Sequence, residues 1–461
     1  MLVQSFSGIR GIYGKDLTED TVRKYAYVFS QSLRDKLKRE PTVVVGYDTR
    51  KSSTTLKNAL LDSLFRVIDV GIMPIAAAQL AVRSYKADCG IVITASHNPK
   101  RYNGLKFLDK DGAVLRPSAV DKVIKGFGQI SKIKEDRFMD KYIYGGELEN
   151  RVKRVVKSNM DLIHKYSAFL KKTVGTFDNK RKVILDVNGG AGIVLKEIIA
   201  NLHIHNIKLI NNKKGEFKRA IEPNSRSLKY LENVVKKQGA EFAAGFDCDA
   251  DRVEVILRDG TIVDGNQILA LIADDILSKK KGTVVVNDAT SNLIRRIAER
   301  HRCKVKEVEV GEINVVDEML RLKSPVGGEG SNGGIIIPPS RCRDGILSLF
   351  YLLKIMDSSG KSLRELLDEL PVYYSVQKKV AFKRKVDIRL FRAKLKSYYS
   401  RKGYKINETG GISGGLKILV DNDSFVWFRF SKTEANLLRI ISDSTSLNSC
   451  RKMIEEAVSL L

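Results

Sequence analysis

Cysteine is sparse in this sequence, and its arrangement excludes two classes of small protein. Only five cysteines occur among 461 residues, they are scattered, and none belongs to a CxxC pair. An odd, dispersed set of thiols argues against a disulfide framework and against a zinc finger. The pattern is typical of a chain that works in a reducing compartment.

Long hydrophobic runs are also missing. No segment reaches the roughly 20 apolar residues that a membrane-spanning helix requires, and no signal peptide is recognisable. We therefore expect a cytoplasmic protein with no membrane partner. The length of the chain suggests three or four domains rather than a single core.

Negative charge is the third deficit. The chain has 81 lysine and arginine residues against 54 aspartate and glutamate residues, a formal net charge of +27. Such an excess favours acidic partners, namely nucleic acid, a membrane surface or phosphorylated small molecules. The densest basic run spans residues 378–405. Four apolar residues recur within it at the spacing expected of an α-helix, namely Val386, Leu390, Phe391 and Leu395. This run predicts an amphipathic helix with a basic, solvated face, and RNA or membrane binding is the alternative.

The chain does contain a regular alternation of strand and helix patterns. Apolar, β-branched runs predict buried strands at 41–48, 89–96, 181–190, 242–247, 253–260 and 282–288. Helical patterns lie between such runs, for example at 21–37 and 265–280. The alternation predicts α/β domains. Several runs end in Gly, Asp or Asn, as expected where a buried strand opens into a functional loop.

The stretch GFDCDADR carries the most specific chemical pattern. Asp247, Asp249 and Asp251 alternate at the end of an apolar run, where three carboxylates repel one another unless a cation holds them. Oxygen ligands of this kind suit Mg²⁺ or Mn²⁺. An EF-hand beginning at Asp247 would need Gly and Glu where this sequence has Arg252 and Arg258, so it is excluded. An aspartyl nucleophile of the phosphatase type stays open on spacing alone.

A second stretch, TASHNP, places Ser96 directly before His97 and an Asn-Pro turn signal. The Ser-His pair could be a nucleophile with its base, while His-Asn-Pro is by itself typical of a turn. Downstream, the segment from Asn103 to Lys106 brings a lysine within reach of Ser96 if the loop folds back. Such a lysine could stabilise charge or move a proton. Near the N-terminus, Arg10 lies between two glycines, where the backbone bends freely.

The glycine-dense stretch GGEGSNGG is a candidate ligand loop. Its side chains Glu329, Ser331 and Asn332 are the donors and acceptors that a hydroxyl-reading site needs. Glycine-rich loops alone are weak evidence, and this one matches neither the dinucleotide fingerprint nor the Walker pattern.

The stretch RFSKTEANLLR is a candidate phosphate cradle. It combines a guanidinium, two hydroxyls and an ammonium near a turn, on Arg429, Ser431, Lys432 and Thr433. These groups suit a dianionic phosphate. An exposed polar turn is the alternative.

Taken together and in this order, the motifs resemble those of the α-D-phosphohexomutase superfamily, the phosphoglucomutase and phosphomannomutase proteins. The stretches that resemble its signatures are SGIRG, TASHNPKRYNGLK, DCDADR, the GGE-containing loop and RFSKTEANLLR. The form of the GGE-containing loop, GGEGSNGG, resembles that of archaeal members. The likeness runs from Ser7 to Arg439. It implies an α/β protein with four domains around a central cleft, three of them related and with mixed sheets, and the C-terminal one smaller and α+β. We place these domains at 1–145, 146–255, 256–368 and 369–461.

The resemblance also implies a role for each motif residue. Ser96 would be a phosphoserine, and one Mg²⁺ per chain would be bound by Ser96, Asp247, Asp249 and Asp251. The groups around the reacting phosphoryl group would be Arg10, His97, Lys106 and Arg252. The sugar would be read by Glu329, Ser331 and Asn332. The distal phosphate would be clamped by Arg429, Ser431, Lys432 and Thr433.

The activity implied by the resemblance is that of a Mg²⁺-dependent phosphohexose mutase, with glucose and mannose phosphates as the leading substrates. Phospho-Ser96 would give its phosphoryl group to a hexose monophosphate, and the resulting 1,6-bisphosphate would turn over and return its other phosphate. A phosphoglucosamine mutase of the same superfamily is the nearest alternative. A sugar-phosphate phosphatase using Asp247 and a basic nucleic-acid-binding protein are more distant ones. We expect a phosphorylated hexose as partner, no nucleic acid, and a monomer or homodimer.

Overall fold

The computed structural model describes residues 2–144, 154–330, 333–384, 386–431 and 436–461. The chain divides into two compact units. The first unit comprises Met1–Ile262 and Ser340–Ser358, and the second comprises Val263–Pro339 and Ser359–Leu461. Within the described ranges, no helix combines the length and the hydrophobicity that crossing a membrane needs. The predicted boundary after residue 145 lies outside the described residues, and those after 255 and 368 stay predictions.

A mixed sheet with flanking helices begins the first unit. Its strands are Val3–Ser5 (β1), Gly8–Ile12 (β2), Thr42–Tyr47 (β3), Arg66–Ile72 (β4), Cys89–Ile93 (β5), Tyr102–Leu108 (β6) and Arg154–Lys157 (β7). Its helices are Glu19–Leu37 (α1), Ser53–Asp62 (α2), Ile75–Ser84 (α3), Pro117–Ile130 (α4) and Glu135–Phe138 (α5), and a π-helical segment follows at Met139–Tyr144. The strand order is β1-β2-β6-β5-β3-β4-β7. β3 runs parallel to β4 and β5, whereas β6 runs antiparallel to β5.

Helix α1 shows how the local sequence sets these elements. The side chain of Thr18 accepts the backbone N–H of Thr21 and so caps the helix where it begins. Tyr25 and Phe29, one turn apart, are buried in the core of this first sheet. The helical pattern predicted over 21–37 is therefore confirmed.

A second mixed sheet follows in the first unit. Its strands are Val183–Asp186 (β8), Ile207–Ile210 (β9), Phe242–Phe246 (β10), Val253–Leu257 (β11) and Ile262–Val263 (β12). The accompanying helices are Asn159–Val174 (α6), Leu195–Leu202 (α7), Ser225–Leu228 (α8) and Leu231–Gln238 (α9). The order is β12-β11-β10-β8-β9, with β10 parallel to β8 and antiparallel to β11. The β10–β11 connection therefore carries the three aspartates at the end of a buried strand.

A third mixed sheet belongs to the second unit. Its strands are Val284–Asn287 (β13), Val305–Val308 (β14), Gly327–Glu329 (β15) and Gly334–Ile336 (β16). The helices along this part of the chain are Gly265–Lys279 (α10), Leu293–Arg300 (α11), Glu312–Leu322 (α12), Gly345–Ser359 (α13) and Leu363–Asp368 (α14). The order is β14-β13-β15-β16; within this sheet, as far as the structure describes it, β13 runs parallel to β14 and β15, and β15 runs antiparallel to β16. Nearly all of α13 is grouped with the first unit.

The C-terminal sheet is antiparallel throughout its described strands, as an α+β domain requires. These strands are Tyr374–Ala381 (β17), Lys405–Glu408 (β18), Leu416–Leu419 (β19), Phe425–Phe430 (β20) and Leu437–Ser444 (β21). The order is β17-β21-β20-β19-β18. The helices of this part are Ile388–Arg401 (α15) and Leu447–Ser459 (α16). All six predicted strands are confirmed, as are the helices predicted over 21–37 and 265–280. The predicted fold class, three α/β parts with mixed sheets followed by an α+β part, is confirmed as well.

The basic run 378–405 contains the predicted helix over only part of its length, so the prediction is right about a helix and wrong about its extent and about one apolar position. Strand β17 occupies its first residues, and helix α15 begins only at Ile388. Asp387 caps that helix, since its side chain accepts backbone N–H groups of the first turn. Leu390, predicted on the apolar face, is 71% exposed, whereas Leu395 is fully buried.

Candidate active site

Ser96 lies in a tight turn that directly follows strand β5. The backbone N–H of Asn98 donates to the carbonyl oxygen of Ala95 at 3.0 Å, with Ser96 and His97 between them. The turn predicted for this stretch is therefore confirmed. Ser96 has a φ of +48°, in the left-handed region that serine rarely adopts. Its backbone N–H donates to Thr94 Oγ1 at 2.8 Å, which helps to hold this conformation.

The hydroxyl of Ser96 contacts the aspartate motif. Ser96 Oγ donates to Asp247 Oδ2 at 2.9 Å, although the two residues are 151 positions apart. Beside it, Thr94 Oγ1 donates to Asp249 Oδ2 at 3.3 Å. Ser96 is only 1% exposed. The turn and the aspartate motif therefore form one buried site.

The three aspartates form a compact carboxylate cluster. One oxygen of each lies within 4.8 Å of the others, and all three residues are buried. Burial, with the charges of Asp251 and Asp249, raises the pKa of Asp247 well above its usual range. Oδ1 of Asp249 and Oδ1 of Asp251 have no hydrogen-bond partner among the described residues. Buried carboxylate oxygens at this spacing fit a hard divalent cation such as Mg²⁺.

Cationic side chains surround this carboxylate cluster. Lys106 Nζ lies 2.8 Å from Asp249 Oδ2 and 3.6 Å from Asp251 Oδ2. Arg252 Nε lies 3.7 Å from Asp251 Oδ1, and Arg343 Nη2 lies 2.7 Å from Asp251 Oδ2. Burial opposes ionisation of Asp251, but the charges of Arg343, Lys106 and Arg252 hold its pKa well below its usual range. Sequence reasoning missed Arg343, which lies 92 residues from its partner.

Lys106 reaches the site by a different route from the one the sequence suggested. It lies on β6, whose antiparallel pairing with β5 places it opposite Val92, rather than on a loop that folds back. Arg10, on β2, donates from Nη1 to Asn98 Oδ1 at 2.8 Å, next to the Ser96 turn. Burial lowers the pKa of Arg10 to about 10. His97 is half-buried within the turn itself.

Arg50 holds the Ser96 turn from inside the protein, and sequence reasoning missed it as well. Its side chain is fully buried, and Arg50 Nε lies 3.0 Å from Asp48 Oδ2. Nη2 donates to the carbonyl oxygens of Ser96 and Asn98, each at 2.7 Å. Nη1 donates to two further carbonyl oxygens of the same segment, at 2.8 and 2.9 Å. The available signal was YDTR, a charged pair at the end of the strand predicted over 41–48.

Arg50→Lys tests whether this anchoring matters for the chemistry. Lysine keeps the charge opposite Asp48 but cannot donate to four carbonyl groups in a planar fork, so the Ser96 turn loosens. For the phosphohexose mutase reaction expected from the sequence, we predict that kcat falls by about 10- to 100-fold and that KM changes by less than about threefold. Steady-state kinetics and thermal melting of the folded variant measure this.

The matched control is Arg39→Lys. Arg39 pairs with Asp88 through two contacts of 2.7 Å, but its side chain is half exposed. This control should leave kcat unchanged. A normal kcat in Arg50→Lys would show that the turn does not need its anchor.

Glu329 lies at the end of β15 in the second unit, and its carboxylate is fixed in place. Glu329 Oε1 accepts the side-chain N–H of Asn287 at 3.1 Å and the backbone N–H of Gly311 at 2.8 Å. The residue is 3% exposed. The other two predicted residues of this loop, Ser331 and Asn332, lie outside the described residues.

Arg429 lies on β20, also in the second unit. Its Nη2 lies 3.3 Å from Glu309 Oε1. Ser431 follows the strand, and its backbone N–H donates to the carbonyl oxygen of Leu437 at 2.7 Å. The remaining predicted cradle residues, Lys432 and Thr433, lie outside the described residues.

Family models match three consecutive parts of this chain. The model for the phosphoglucomutase/phosphomannomutase alpha/beta/alpha domain I matches residues 3–134. The models for domains II and III of the same family match residues 164–260 and 264–374.

Whole-chain comparisons give the same result. A phosphoglucomutase/phosphomannomutase of Thermococcus kodakarensis is 36% identical over 98% of this chain and 97% of its own. A phosphoglucosamine mutase of Caldanaerobacter subterraneus is 31% identical over 91% of this chain and 94% of its own. The crystal structure of a phosphoglucomutase/phosphomannomutase family protein from Burkholderia thailandensis covers 100% of this chain and 98% of its own. Its TM-score is 0.79 at 22% identity, so this likeness concerns the fold alone.

Proposed function

Because the chain belongs to the phosphoglucomutase/phosphomannomutase family of isomerases, we propose that it interconverts hexose 1-phosphates and hexose 6-phosphates through phospho-Ser96. The observation that carries this proposal is the 2.9 Å hydrogen bond from Ser96 Oγ to Asp247 Oδ2. It joins the candidate phosphate carrier to a buried cluster of carboxylates that could bind a metal ion. The turn that holds Ser96 is itself fixed by hydrogen bonds from Arg50. A turn serving only as a corner would not need the contact with Asp247.

The carboxylate cluster would hold one Mg²⁺ together with the phosphate on Ser96. The orphaned Oδ1 atoms of Asp249 and Asp251 are the ligand atoms that the protein leaves available for it. Once bound, the ion would act as a Lewis acid on the phosphoryl oxygens. The pairing of Asp251 with Arg343 keeps this carboxylate ionised and oriented as a ligand.

The side chains around Ser96 would then act mainly by position and charge. Transfer of a phosphoryl group passes through a loose transition state that needs alignment and neutralisation more than covalent help. Lys106, Arg252 and Arg10 supply positive charge beside the Ser96 turn and the carboxylate cluster. The bond from Ser96 Oγ to phosphorus breaks as a sugar hydroxyl oxygen bonds to phosphorus, and the proton of that hydroxyl is returned to Ser96. His97 and Lys106 are the candidates for carrying this proton.

The second half of the cycle repeats the first in reverse. The hexose 1,6-bisphosphate turns over and presents its other phosphate to Ser96. The bond from that phosphorus to the sugar oxygen breaks as Ser96 Oγ bonds to phosphorus, and the serine proton passes to the sugar oxygen. Such a flip needs a clamp that accepts either phosphate and a group that reads the sugar in both orientations. We assign the clamp to Arg429, Ser431, Lys432 and Thr433, and the reading of the sugar to Glu329, Ser331 and Asn332. The same bisphosphate would serve as activator by phosphorylating Ser96.

The identity of the sugar divides two candidate activities. The similarity to the Thermococcus protein favours glucose and mannose phosphates, whereas the similarity to the Caldanaerobacter protein favours glucosamine phosphate. We expect kcat/KM for glucose 1-phosphate and mannose 1-phosphate to agree within about tenfold, with glucosamine 1-phosphate lower. Coupled assays on the three 1-phosphates test this. Turnover confined to glucosamine 1-phosphate would establish the second activity instead. A cytoplasmic location and a monomeric or dimeric state stay predictions.

A further inference from the structure

The guanidinium assigned to the phosphate clamp is already paired with a carboxylate. Arg429 Nη2 lies 3.3 Å from Glu309 Oε1 and donates to the carbonyl oxygen of Val310 at 3.4 Å. The two charged side chains are 10% and 18% exposed, so water screens this pair only partly. Arg429 Nε is buried and has no hydrogen-bond partner among the described residues. The guanidinium therefore retains donor capacity for an anion.

Glu309 is held in this place by its own backbone. It precedes Gly311, whose N–H donates to Glu329 Oε1 at 2.8 Å, so the segment is tied to the sugar-reading glutamate. Gly311 has a φ of +141°, which favours glycine at this position. Asn314 Nδ2 donates to the carbonyl oxygen of Glu309 at 3.1 Å. A three-residue segment thus joins the clamp arginine to the predicted sugar site.

We propose that Glu309 is the resident counter-ion of Arg429 and that the substrate phosphate displaces Glu309 from it. This inference rests on the proposed function, because it requires Arg429 to receive the distal phosphate. A dianionic phosphate offers the guanidinium more charge and two acceptor oxygens, so it outcompetes a single carboxylate contact. When the phosphate leaves, Glu309 pairs with Arg429 again, and the partly buried cation is not left without a partner. This exchange lowers the free-energy cost of releasing the phosphate from Arg429 when the bisphosphate turns over.

Glu309→Gln separates charge from shape at this position. Glutamine keeps the length of the side chain and an acceptor oxygen for Arg429, and it removes the competing negative charge. We expect KM for the preferred hexose 1-phosphate, and Kd for the matching 6-phosphate, to fall by about 3- to 10-fold. Kinetics give the first quantity, and calorimetric titration gives the second. The matched control is Glu318→Gln, which removes a partly buried glutamate paired with the exposed Arg321 on helix α12 and should change neither.

Arg429→Gln makes the outcome decisive. We expect it to raise KM by at least about tenfold, since a charge-assisted phosphate contact is lost. If Arg429→Gln leaves KM unchanged, Arg429 is not the clamp, and that part of the proposed function fails. If Arg429→Gln weakens binding while Glu309→Gln leaves KM unchanged or raises it, the clamp stands. Glu309 then supports Arg429 instead of competing for it, and the inference is overturned.

Discussion

Ser96→Ala is expected to lower kcat of the proposed mutase reaction by about 10⁴-fold or more, because it removes the oxygen that would carry the transferred phosphoryl group. The side chain lost is one hydroxyl, which is buried against Asp247 and 1% exposed. The fold should survive, since the turn is held mainly by backbone contacts and by Arg50. A coupled mutase assay with saturating hexose 1,6-bisphosphate measures the loss.

The control for Ser96→Ala is Ser118→Ala, which removes a serine hydroxyl from an exposed position on helix α4. That variant should keep full activity. Phosphopeptide analysis of the wild type should locate the phosphate at Ser96 and nowhere else. Full mutase activity in Ser96→Ala would mean that another group carries the phosphate, and the proposed mechanism would be wrong.

Asp249→Asn is expected to lower kcat by about 10³-fold, because it removes one of the clustered carboxylates that would hold the divalent ion. It also removes the negative charge that pairs with Lys106, so the charged groups beside Ser96 lose part of their alignment. A second readout does not depend on turnover. Mg²⁺ should raise the melting temperature of the wild type, as any ligand that binds only the folded state does, and should not raise that of the variant.

The control for Asp249→Asn is Asp121→Asn, an exposed aspartate on helix α4. It should preserve both the activity and the stabilisation by Mg²⁺. If Asp249→Asn were still stabilised by Mg²⁺ to the same extent as the wild type, the ion would bind elsewhere. The assignment of the carboxylate cluster as the metal site would then be wrong.

The parts of the site that the sequence predicted are those whose chemistry is local. Asp247, Asp249 and Asp251 lie within five residues of one another, so their mutual repulsion, from which a cation site is predicted, is apparent without a fold. The strand that precedes them was equally clear, because a buried strand is an uninterrupted apolar run. Ser96 was found through its own motif, and the resemblance to a family joined it to the aspartates.

The parts that the sequence could not show depend on partners far apart in the chain. Arg50 donates to backbone carbonyl oxygens of the Ser96 segment. Because every residue has a backbone carbonyl group, the sequence does not show which residues accept these hydrogen bonds. Arg343 meets Asp251 only because the fold closes a separation of 92 residues. The sequence predicts that a folded-back loop brings Lys106 to Ser96, whereas the structure places it on β6, paired with β5, where it contacts Asp249.

The error in the basic run has a different origin. Four apolar residues at helical spacing cannot distinguish one long helix from a strand followed by a shorter helix. The decisive signal was Asp387, a favoured helix-capping residue, which marks where the helix begins. Leu390 then falls on the solvent side of the shorter helix and is 71% exposed.

Transfer of labelled phosphate from Ser96 tests the central claim most directly. Enzyme carrying a ³²P-phosphoryl group on Ser96 is mixed with unlabelled hexose 1-phosphate in the presence of Mg²⁺, and the products are separated after a single turnover. We expect the label in hexose 1,6-bisphosphate at first and in hexose 6-phosphate afterwards. Label released only as inorganic phosphate would contradict the mutase and would favour a phosphatase.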